Sequence, residues 1–198
     1  MRGIDMNKRV RANLLLLLTA FIWGLAFVAQ DVAMDTMGPF TFNAVRLLIA
    51  AIALLPCIAL LDSLDRKHGV QPKTFRGMTA AEKHTLLIGG ICCGLALGVA
   101  SGLQQLGIKE TSAGKAGFVT ALYIVLVPLA GLIFGKRVHW NVWVAVGLCT
   151  VGLFLLCVSE ALTIGLGDVY LLGCALCFTV HILTVDRFSP RTDCVRMS

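Results

Sequence analysis

LLLLLTAFIWGLAFVAQ, residues 14–30, holds no charged side chain and, with its flanks, is close to the ~20 residues a helix needs to cross ~30 Å of hydrocarbon. Arg2, Lys8, Arg9 and Arg11 precede it, as basic residues precede a secretory signal. The apolar stretch, however, runs on to Ala29 without a convincing small-x-small cleavage site. It reads as an uncleaved first membrane span, residues 13–30. Working outward, comparable apolar runs follow at residues 40–61, 84–106, 112–134, 140–158 and 168–185. Each is continuously apolar and far longer than the ~10-residue alternating segments of a membrane barrel strand. Helices, which satisfy their own backbone in lipid, are therefore predicted. The expectation is an all-α, polytopic membrane protein with six transmembrane helices.

Composition agrees: 58% of residues are hydrophobic and 14% charged, too apolar a balance for a water-soluble chain of 198 residues. A formal charge of +6 suggests nucleic acid at first sight. Yet all seventeen Lys and Arg except Arg46, Lys109 and Lys115 fall in the N-terminal arm, the loops after spans two and four, and the C-terminal tail. Basic residues at alternate loops follow the positive-inside rule. Asp31 and Asp35 after span one, and Glu160 and Asp168 between spans five and six, mark the opposite side. Both termini are expected in the cytoplasm of a cell-membrane protein whose partner is the lipid bilayer, not nucleic acid.

Trp140 and Trp143 flank one end of span five, where aromatic rings anchor at the interface. Trp23 lies near the middle of its span, and two readings stay open for it: packing between helices or lining a cavity. Gly90, Gly94, Gly98 and Gly102 repeat every four residues along span three, leaving a groove without side chains that another helix can approach closely. Gln105 shares that face and Gln104 adjoins it; both amides meet headgroups and water, or one faces a polar pathway.

An ionised side chain near the centre of a span costs ~2.5–3.5 kcal/mol on insertion scales, so each needs a reason. Arg46 in span two either snorkels outward, pairs with Asp31 or Asp35, or faces a cavity that binds an anionic group. Lys115 opens span four, where a cation opposes the helix dipole, so snorkelling or a cavity role accounts for it better than helix stability. Thr120 and Tyr123 share a face with Gly117, and Pro128 is expected to kink the same span. His181 stands alone in the apolar part of span six, as a hydrogen-bonded packing residue or a proton or substrate site. Seven of the eight Cys, at positions 57, 92, 93, 149, 157, 174 and 177, lie within spans and read as small apolar residues. Neither disulfides nor a metal site is expected; Cys174 and Cys177 form a CxxC without a second ligand pair.

Together with residues 14–30, the runs GPFTFNAVRLLIAAIALLP (38–56) and LQQLGIKETSAGKAGFVTALYIVLVPLAG (103–131) resemble the EamA-type transporters of the drug/metabolite transporter superfamily. GDVYLLGCALCF (167–178) is similar to the opening of that family's second repeat. Where many members carry Glu after the fourth span, this chain has Lys136. The resemblance implies ten spans in two five-helix repeats. Five crossings leave the ends of a repeat on opposite sides, so a second copy is necessarily inverted. Shifting span six onto span one aligns Leu16 with Leu171, Ala20 with Ala175, Trp23 with Phe178 and Asp31 with Asp186. Residues 1–158 are thus expected to form a first repeat and residues 167–198 the start of a truncated second one.

The function expected on this basis is transport of small metabolites by a permease or exporter, or by its N-terminal half, coupled to an ion gradient or working by facilitated exchange, because no nucleotide-binding loop is present. A homo-oligomer or a complementing second half would complete the site. The candidate cavity residues are Trp23, Arg46, Gln105, Lys115, Thr120, Tyr123 and His181, with no cofactor. A membrane-embedded enzyme would need clustered ligands or paired carboxylates, whereas the His residues are scattered and the spans nearly free of acids. A non-transporting membrane subunit or a non-functional truncation product stands as the alternative.

Overall fold

The computed structural model describes residues 6–67, 69, 75–136, 138–157 and 165–197. Its regular elements are all helical: α1 (Met6–Met34), α2 (Pro39–Lys67), α3 (Ala80–Glu110), α4 (Ala113–Ala121), α5 (Tyr123–Ile133), α6 (Trp140–Cys157), α7 (Leu166–Phe188) and α8 (Cys194–Met197), with one 3₁₀ turn at Phe75–Gly77. Val10–Met34, Pro39–Lys67, Ala80–Glu110, Ala113–Ile133 and Leu166–Phe188 are long and apolar enough to cross a membrane. The fifth expected span corresponds to α6, an apolar helix of 18 residues. The chain is a multi-pass, all-α membrane protein in contact with the lipid bilayer. Among the charges that orient it, Arg2, Lys73, Arg137 and Glu160 lie outside the described residues.

Local chemistry sets the helix ends. Thr79 and Glu82 form a capping box at the start of α3: the Glu82 N–H donates to Thr79 Oγ1 at 3.3 Å and the Thr79 N–H to Glu82 Oε2 at 2.9 Å. Ser112 caps α4 through the Lys115 N–H at 3.2 Å. The end of α5 is a Schellman motif, with the Lys136 N–H on the Gly131 carbonyl and the Gly135 N–H on that of Leu132, both at 2.9 Å. It requires Gly135 at φ +73°, a conformation that a Cβ disfavours. Pro128 sits inside α5, but the interruption of this span falls six residues earlier, at Leu122, where the Val125 and Leu126 N–H groups both turn to the Leu122 carbonyl.

Two antiparallel helices, α3 and α7, form the centre. Leu86, Gly89, Cys93, Ala100, Gln104 and Gly107 recur at three-, four- and seven-residue spacing and lie buried along one face of α3. Leu171, Cys174, Ala175 and Phe178 are buried on α7. Small residues let the two backbones approach: a Cβ on Gly107 would stand 2.5 Å from Leu171 Cγ and 3.2 Å from the Gly167 carbonyl oxygen. At the other end a Cβ on Gly89 would meet Met197 Sδ at 2.8 Å and Phe188 Cγ at 3.1 Å. Ile108, Ala116, Val119 and Leu171 join α3, α4 and α7 in one apolar cluster, onto which Phe27 and Met34 of α1 pack. Most large apolar side chains of α1 and α2 face outward, the arrangement lipid accepts and water would not.

The glycine stripe of α3 departs from its expected role. Gly90 lies against the Met197 carbonyl oxygen, 3.5 Å from where its Cβ would be, but a Cβ on Gly94, Gly98 or Gly102 would meet nothing within 4 Å among the described residues. Close packing falls instead on Gly89 and Gly107, because one residue turns the helix by about 100° and α7 occupies that neighbouring face. The stripe stays open.

Candidate functional site: polar groups within the helical bundle

Four polar side chains converge near the α1–α2 turn, from three helices. Arg46 of α2 donates through Nη1 to Gln30 Oε1 of α1 and through Nη2 to Asn43 Oδ1, one turn earlier on its own helix, at 2.9 Å. Gln105 of α3 donates through Nε2 to the same Gln30 oxygen. Gln30 in turn gives its own Nε2 protons to the Ala26 carbonyl at 2.9 Å. The Phe42 ring lies 5.7 Å from the guanidinium carbon and holds one face of it by a cation–π contact. Gln105 is fully buried, with 0% exposure, and Gln30 and Asn43 are nearly so. Arg46 thus makes neither of the ion pairs considered for it, with Asp31 or Asp35; both of its hydrogen-bond acceptors are neutral amides. Gln105 faces neither headgroups nor water.

A second polar contact stands at the same end of the bundle, where α4 and α7 begin. Lys115 Nζ pairs with Asp168 Oδ2 at 2.8 Å, and the same carboxylate oxygen accepts the Gly165 N–H at 2.8 Å. Asp168 therefore caps α7 and offsets a cation placed at the positive end of the α4 dipole. The contact joins α4 to α7.

Thr120 and Tyr123 point toward α7. The Thr120 oxygen is buried beside Cys174 and has no hydrogen-bond partner among the described residues, and the Tyr123 ring packs on Phe178 with centroids 5.9 Å apart. His181 Nδ1–H donates to the Cys93 carbonyl at 3.1 Å, which fixes its tautomer and ties α7 to α3. Trp23 stands on the surface of α1, 53% exposed, rather than between helices. The seven candidate residues therefore do not line one cavity. Arg46 and Gln105 share a cluster, Lys115 has its own carboxylate, Thr120, Tyr123 and His181 follow the helix interface, and Trp23 is apart.

Sequence reasoning missed Gln30, Asn43 and the pairing role of Asp168. Asn43 carries a legible signal, since an amide three residues before Arg46 shares its helix face. Gln30 ends an apolar run, and only its neighbours give it a partner.

At the opposite end of the bundle Lys136 pairs with Asp186, both exposed, and Arg196 Nη2 lies 2.6 Å from each carboxylate oxygen of Asp62. Burial alone would depress the Arg196 pKa; the hydrogen bonds it donates to Asp62 and Asp193 outweigh it and hold the group above its ordinary value. An open apolar groove of about 490 Å³ lies beside it, lined by Ile58, Phe75, Leu86, Leu87, Gly90 and Ile91. Among the described residues no three His, Cys, Asp or Glu side chains come together as metal ligands.

Residues 10–158 match the EamA-like transporter family, and the chain belongs to it. A protein named "Uncharacterized transporter" from Archaeoglobus fulgidus is 32% identical over 192 residues, an overlap covering 94% of this chain and 53% of the relative. The chain thus spans about half the length of that curated relative. No solved structure matches it.

Proposed function

We propose that the chain supplies a first five-helix repeat, residues 1–158, and the opening helix of an inverted second repeat, residues 167–198, to a gradient-driven transporter of small metabolites. The membrane is the cell membrane, and both termini face the cytoplasm, following the basic loops. One observation carries the transport reading: Gln30, Asn43, Arg46 and Gln105 gather on three apolar helices, where polar groups are costly and commonly mark a solute path. Arg46 and Gln105 form the core of the candidate pathway. Lys115, Thr120, Tyr123 and His181 continue it along α7, and Trp23 faces the part contributed by a second half.

The need for a second half is supported by a contrast between related helices. Leu171 and Phe178 of α7 are 0% and 8% exposed, whereas Leu16 and Trp23, their counterparts on α1, are 68% and 53% exposed. The face that packs in α7 is uncovered in α1, and so is the glycine stripe of α3. A complementing half or a second copy would cover both.

The test is dissipation of an imposed proton or sodium gradient in proteoliposomes on addition of amino acids, dicarboxylates, nucleosides or quaternary amines. The full chain is reconstituted alone and with the part of the archaeal relative that it does not cover. Flux with at least one solute class, absent from protein-free vesicles, is expected. Its absence from both preparations would refute the proposal.

A further inference from the structure

We infer that Arg46 is the anchor of an oxyanion site inside the bundle, taking a carboxylate or a phosphate group. A guanidinium stays charged at any physiological pH and offers five N–H donors in a planar fork suited to two oxygens of one anion. Two of those donors are used here, on Gln30 Oε1 and Asn43 Oδ1. Neither acceptor carries charge, and among the described residues no carboxylate pairs with Arg46, although Lys115, Lys136 and Arg196 each have one. The cluster therefore orients the cation without neutralising it. Both groups that hold it by hydrogen bonds are neutral.

The frame is rigid. Gln105 is fully buried and holds Gln30, Gln30 is tied to the Ala26 carbonyl, and Phe42 occupies one face of the guanidinium. Arg46 follows Pro39 by seven residues, which sets its Cα ~10 Å along α2 from the helix start, deeper than Asp31 in the last turn of α1 and Asp35 in the turn after it. In the isolated chain open space adjoins Gln105, because Gly98 and Gly102 share its α3 face and among the described residues nothing lies within 4 Å of where their Cβ atoms would be. A fixed, half-buried cation with unused donors beside open space binds an anion bidentately. The ligand's oxyanion has two sources, a soluble metabolite or a phospholipid headgroup. The inference deepens the transport reading by naming its substrate class, and it depends on that reading only for the ligand's role as cargo.

Thermal unfolding of the purified full chain in an uncharged detergent tests it, with succinate, inorganic phosphate or chloride added at matched ionic strength. Ligands that bind the folded state alone raise the midpoint in a saturable way. Wild type should gain several degrees with succinate or phosphate and none with chloride. Arg46→Gln should lose the gain, and Arg46→Lys should need at least threefold more anion for half the effect. If Arg46→Gln does not fold, the wild-type and Arg46→Lys curves still decide. A phosphatidylglycerol arm separates the sources: a gain from the lipid, lost in Arg46→Gln and not displaced by succinate, assigns the site to a headgroup. No saturable gain from any oxyanion, or equal gains in wild type and both variants, overturns the inference. Saturable binding without flux in proteoliposomes would refute the transport reading and leave the site. Flux of a neutral solute without oxyanion binding would do the reverse.

Discussion

Asp168 serves two helices with one carboxylate oxygen: it caps α7 through Gly165 and pairs with Lys115 at the start of α4. Among the described residues its other oxygen has no hydrogen-bond partner, so the group's desolvation is offset through a single oxygen. Removing the negative charge should therefore cost more than an exposed ion pair would. Asp168→Asn keeps the shape and removes the carboxylate opposite Lys115, and a loss on the order of 2 kcal/mol is expected, below the full cost for a deeply buried pair because Lys115 keeps some exposure. Reversible unfolding in mixed micelles would measure it. Adding Lys115→Met should recover part of the loss, and additivity of the two substitutions would show that the pair does not couple. Arg46 presents the contrasting case, a cation framed by amides and left to its ligand.

Among elements, α3 has two glycine faces with different duties. Gly89 and Gly107 carry the contact with α7 and α8, while Gly94, Gly98 and Gly102 face open space. Gly107→Leu should disrupt the chain itself, since even its Cβ would overlap Leu171 and press on the Gly167 carbonyl; a loss of roughly 2 kcal/mol or more is expected from overpacking. The double substitution Gly94→Leu with Gly98→Leu should leave the unfolding midpoint of the isolated chain within a few degrees of wild type. It should nevertheless abolish assembly with a complementing half, read by co-purification. Equal destabilisation by both changes would mean that the stripe packs within the chain. The four-residue glycine repeat was legible in the sequence, but which face meets α7 was not. Periodicity defines faces and leaves their partners unnamed, and a neighbouring face offset by one residue contains glycines too.

For the whole molecule, the charge of the loops predicts an orientation that cysteine labelling can test. In a Cys-depleted background, Asp35→Cys should react with an impermeant maleimide from outside intact cells, and a cysteine at Lys67 only after permeabilisation. Reaction of position 35 from the cytoplasmic side alone would invert the topology. Both polar clusters near the α1–α2 turn, around Arg46 and around Asp168, would then lie on the cytoplasmic side and the Arg196–Asp62 pair outside.

The sequence by itself determined the membrane class, the helical secondary structure and the family. These depend on run length, apolar content and loop charge, which act within one segment or its loops. It also singled out Arg46, because a cation in an apolar run is anomalous wherever the run packs. Only the tertiary structure decided what Arg46 touches. Gln30, Asn43 and Gln105 come from positions up to 75 residues apart, and their meeting depends on how α1, α2 and α3 are set against α7. The same packing moved Gln105 from the interface to the interior and left Trp23 on the surface. Lipid explains the limit: with no hydrophobic force to sort one apolar helix face from another, small residues and hydrogen bonds between helices decide the packing, and their partners lie far away in the chain.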